Sequence, residues 1–131
     1  MNIIKTLVFA TVLLFANLVQ AQSVSDKWPA IKVFHGVMSQ TFHPAEEGNL
    51  APIKARSAEM VEKAEALMKS DIPTEFKTAS IMGSAERIVI KSKALHKMVL
   101  SKAADADITA KLSELHDTFH EIVGLCKSEK H

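Results

Sequence analysis

His116 and His120 stand four residues apart in the stretch LSELHDTFHEIVGLC, Leu112 to Cys126. On an α-helix such residues lie one turn apart on one face, and two imidazoles at that spacing can close on a single metal ion. Imidazole nitrogen suits Zn²⁺ and Cu²⁺, and a thioether added to the set shifts preference toward Cu⁺. The plainer alternative is a pair of polar side chains on a helix flank. The remaining histidines are His35, His43, His96 and His131. The elements that carry them decide which can join the pair.

Around the pair, Ile108, Leu112, Leu115, Phe119, Ile122 and Cys126 recur at gaps of four and three, the stripe of a helix packed in a bundle. Three further amphipathic segments precede it. The first begins at the cap types Ser25 and Asp26, has Pro29 in its first turn and ends at Phe42, because His43 precedes Pro44 and is pushed out of the α region. Its face is Trp28, Ile31, Phe34, Met38 and Phe42. At about 100° per residue, His35 falls within roughly 30° of the centre of that face, so it is expected to point inward.

Asn49 is the expected cap of a second helix running to about Lys69, with Ile53, Ser57, Met60, Ala64 and Leu67 as its stripe. Thr74 is the expected cap of a third, to about Lys102, with Ile81, Ala85, Ile88, Ser92, Leu95 and Val99, and Gly83-Ser84 as a place to bend or split it. The fourth starts at Asp105 or Asp107 and runs to about Lys127. No strand pattern appears. Four amphipathic helices with short links predict an all-α fold, an antiparallel up-down-up-down four-helix bundle.

In such a bundle His35 and His116 lie about 12 to 16 Å from the same end, and His96 about 9 Å from it, at 1.5 Å per residue. His35, His116 and His120 are therefore the expected first metal ligands, with His96 or Met38 as a fourth. Buried methionines are commonly core filler, which is the other reading of Met38. His43, Glu46 and Glu47 form either a second, oxygen-rich site or a solvated connector. His131 is a chain terminus.

Met1–Lys5 is a short cationic head, Thr6–Val19 an apolar run, and Val19-Gln20-Ala21 a small-x-small cleavage signal. Residues 1–21 read as a secretory signal peptide, and 22–131 as one bundle domain, periplasmic or secreted. The run is short for a span, which needs about 20 residues, so no stable membrane anchor is expected. Without Lys5, 15 basic residues face 15 acidic ones. That balance argues against nucleic acid as partner. Cys126 is the lone cysteine. Exposed, it would join two copies as a homodimer; the stripe places it in the core instead.

The chain has no CxxCH for covalent haem, no paired Glu-x-x-His for di-iron, no HExxH, no nucleophile elbow and no phosphate loop. These absences make no case for an enzyme.

The segment LHDTFHE resembles the last helix of the class II cytochromes, the cytochrome c′ group, in which a haem-ligating histidine is followed by an acidic residue and then an aromatic. His116, Asp117 and Phe119 match in that order, while Leu112 and Leu115 hold the approximate places of the two haem-binding cysteines. Length and four-helix plan are also similar to cytochrome b562. The resemblance implies, as the alternative to a metal ion, a non-covalent haem b held by Met38 and His116, with Phe34, Leu112 and Phe119 lining the slot. A structural or partner-binding bundle without metal is the third reading.

Overall fold

The structure, a computed structural model, describes residues 23–128; the expected signal peptide and His131 lie outside the described residues. The described chain is all-helical: α1 (Val24–Lys27), α2 (Pro29–Glu46), α3 (Ala51–Lys69), a 3₁₀ turn (Thr74–Phe76), α4 (Ala79–Leu100) and α5 (Asp105–Ser128). The four long helices pack together, each along the next in sequence, and α2 also meets α5. Among the described residues no helix is long and apolar enough to cross a membrane.

The stripes become the core. On α3 the five expected residues, Ile53, Ser57, Met60, Ala64 and Leu67, are the buried ones. On α5 Ile108, Leu112, Leu115, Phe119, Ile122 and Cys126 are all buried. α4 is one continuous helix through Gly83-Ser84, and its start is capped by Thr78, whose side chain accepts from the Ile81 N–H. Thr74 instead opens the 3₁₀ turn, which drops Phe76 into the core against Trp28, ring centroids 6.2 Å apart. Asn49 Oδ1 accepts from the Ala51 N–H at 3.2 Å and so serves the start of α3 from one residue outside it.

Two expectations for the first helix need correction. Trp28 is a non-helical residue that splits it: Ser23 and Asp26 close a capping box on α1, and Pro29 restarts the chain as α2. α2 also does not stop at His43. It runs through Pro44 to Glu46, since Phe42 and Ala45 are buried and hold the last turn in place. The end is set by Gly48 at φ +88: the Asn49 N–H returns to the Pro44 carbonyl and the Gly48 N–H to the Ala45 carbonyl, a Schellman closure. Proline near a helix end forfeits one backbone bond, a cost that this closure and the buried flank offset.

Cys126 is fully buried, as its place in the stripe implied. Cys126→Ser puts a hydroxyl where a small apolar group sat. Its expected cost is about 1–3 kcal/mol, the penalty of burying a more strongly hydrated group in the core, read as a lower urea midpoint at unchanged m-value.

Candidate metal site between α2 and α5

α5 is helical without interruption across His116 and His120, so the pair lies one turn apart on one flank. Their Nε2 atoms are 3.1 Å apart, with ring centroids 4.4 Å apart and planes nearly perpendicular. At that distance one Nε2–H donates to the other ring's bare Nε2. An ion would take the place of that proton once both rings carried their hydrogen on Nδ1, a tautomer change that leaves the charge alone. With metal–nitrogen bonds of about 2.05 Å, ligands at about 90° sit about 2.9 Å apart and ligands at about 109° about 3.3 Å apart. The observed separation falls between the two.

The pair is held from α2. The Phe42 ring lies flat on His116, centroids 3.9 Å apart and planes 14° from parallel. His116 is half-buried by this contact, while His120 is exposed. Burial and the neighbouring His120 lower the His116 pKa, against an opposing pull from Asp117 and Glu46. A ring that resists protonation keeps its lone pair available for a metal.

The depressed pKa also sets a pH dependence of stability. The unfolded chain protonates His116 near the ordinary imidazole value of about 6.5, and the folded chain does so only at lower pH. Unfolding therefore takes up a proton in that window, so stability is full above it and falls as pH drops through about 6.5. The urea midpoint should fall between pH 7.5 and 5.5, and by less in His116→Gln.

His35 is not inward. It is exposed, with its ring stacked on Phe119 at 5.4 Å and 9°. The expected face counts Trp28, which is not part of α2, and leaves out Val37, Thr41 and Ala45, which are buried. The buried residues of α2 are Ile31, Phe34, Val37, Met38, Thr41, Phe42 and Ala45. At about 100° per residue their centre lies roughly 80° from His35, which puts that residue on the flank. It shares with His120 the walls of a shallow pocket of ≈ 220 Å³ that also includes Ile31, Phe119 and Val123.

The remaining candidates have other engagements. His96 Nδ1 is 2.8 Å from Ser57 Oγ, linking α4 to α3. Met38 is fully buried in the core. Among the described residues no three donor side chains gather as placed. Phe34, Met38 and Leu112 are fully buried and Phe119 nearly so, with the Phe34 and Phe119 rings 5.6 Å apart.

His43 and Glu46 are helical residues rather than connector, with His43 Nδ1 3.9 Å from Glu46 Oε2. Both act electrostatically on His116. What brings them near the pair is Phe42, whose aromatic ring packs against a histidine of another helix. Periodicity along one helix does not reveal such a partner. No protein-family model, curated protein or solved structure matches the chain, so the reading of this site rests on its own geometry.

Proposed function

We propose that the chain is an exported metal-binding bundle whose role is to bind, buffer or sense zinc or copper rather than to catalyse. The single observation that carries this is the 3.1 Å separation of the His116 and His120 Nε2 atoms, the spacing of two cis ligands on one ion. The Phe42 stack supports it by fixing one ring in place, and the lowered His116 pKa by keeping that ring neutral. Export rests on the tripartite pattern of residues 1–21. Short links between consecutive packed helices favour the antiparallel up-down-up-down arrangement.

Isothermal titration with Zn²⁺ and with Cu²⁺ tests the reading, using the wild-type chain, His116→Ala and His120→Ala. Uptake at one ion per chain, lost in either variant, is the expected result. Uptake unchanged in both variants would sink it. One ion per two chains would mean a metal-bridged homodimer. A Soret band on adding haemin, with no uptake of either metal, would favour the haem b alternative, and no response to any of these the structural bundle.

A further inference from the structure

We infer that the Glu46 carboxylate is a third ligand of the ion held by His116 and His120, which makes the site a staple between α2 and α5 selective for a divalent ion. The inference rests on the two-imidazole reading above and adds the group that completes it.

The placement comes from α2 continuing past Pro44. Phe42 stacks on His116 at 3.9 Å, and Glu46 is i+4 from Phe42, so it rises from the same flank of α2 one turn on. Its charge is felt by His116. The side chain is half-exposed, and its approach to His43 is 3.9 Å, longer than a hydrogen bond. It can swing toward the pair without breaking a close contact to His43. His35 flanks the pair from the other side, where its ring is occupied on the face of Phe119.

The donor chemistry follows. Two imidazoles and a carboxylate form an N₂O set, with the fourth position open to water, as zinc commonly accepts. A hard carboxylate in place of a thioether favours Zn²⁺ or Cu²⁺ over Cu⁺. A carboxylate also brings a negative charge to an ion that the two neutral imidazoles leave uncompensated.

Zinc titrations of the wild-type chain, Glu46→Gln, His43→Ala, His35→Ala and the His116→Ala/His120→Ala pair separate the outcomes, each variant's apo melt serving as the folding control. Glu46→Gln should weaken zinc by at least about tenfold, in line with the loss of groups that support a metal. His43→Ala and His35→Ala should stay near wild type. Titration in 1 M NaCl, where the Debye length is about 3 Å, should leave the Glu46→Gln deficit standing. Co²⁺ used as a probe should change its visible absorption between wild type and Glu46→Gln. Wild-type affinity in Glu46→Gln, with loss in the histidine variants, overturns Glu46 as a ligand and leaves the two-imidazole reading intact. A deficit that vanishes in salt, or that appears in His35→Ala instead, overturns it as well. Full affinity without His116 and His120 defeats the reading beneath it.

Discussion

Zinc at a hundred times its Kd should raise the melting temperature by about 8–15 °C. The arithmetic is general: a ligand bound only by the folded state adds about 2.7 kcal/mol at that excess. For a domain near this size, each kcal/mol moves the midpoint by roughly 3–6 °C. The cause here is specific. Four long helices are held by a continuous apolar core, and an ion on His116 and His120 would act at the boundary where α5 faces Phe42 of α2. His116→Ala and His120→Ala should each abolish the shift, because one imidazole, even with a carboxylate beside it, is a weak site. A melt of the wild-type chain that zinc and copper both leave unmoved, at concentrations up to the solubility limit, would remove the metal reading.

Phe34→Ala should cost about 3–5 kcal/mol, the usual range for truncating a buried phenylalanine. Phe34 is fully buried, and its ring packs at 5.6 Å and a tilt of 37° on Phe119. Removing it leaves a cavity in the middle of α2 and unseats the ring on which His35 stacks. Domains of this kind are stable by only about 5–15 kcal/mol, so the loss takes a large share of the total. Urea unfolding followed by circular dichroism reads it directly. A cost under about 1 kcal/mol would mean that α2 repacks freely, and that the histidine contacts built on it are not held. The same variant should weaken zinc by a smaller factor than His116→Ala, since Phe34 reaches the site through the Phe119 ring and holds no ion itself.

What could be read in advance was what helical periodicity encodes. The stripe on α3 needed no revision, and neither did the one on α5, because each apolar residue there faces the core in an uninterrupted helix. α2 departs from its periodicity at two local points. Trp28 is buried like a helix-face residue but sits in non-helical backbone, and counting it while leaving out the buried Val37, Thr41 and Ala45 turns the inferred face toward His35. Pro44 looked like a stop, yet the last turn is held by Phe42, Ala45 and the closure at Gly48. Local preference gave way to tertiary anchoring in both places. The His116 and His120 pairing was legible because it is a property of one helix. The Phe42 stack, the field of Glu46 and the tie from His96 to Ser57 were not, because each is a meeting between helices whose rotation and height the sequence leaves open.

Trp28 gives the molecule a built-in optical reporter. It is the one tryptophan in a chain without tyrosine, so its indole is the sole emitter when excited at the red edge of the aromatic band. It is fully buried, and its Nε1–H donates to Ser70 Oγ at 2.8 Å, which joins the start of α2 to the end of α3. Emission should therefore be blue-shifted in the native state and move to the red as that corner opens. Ile31, three residues further along, lines the same pocket as His35 and His120. The fluorophore therefore sits toward the His120 end of the histidine pair. Any change in the emission maximum on adding an ion would report a tightening of that corner, and the spectrum would serve as a local gauge of how the start of α2 responds to the site.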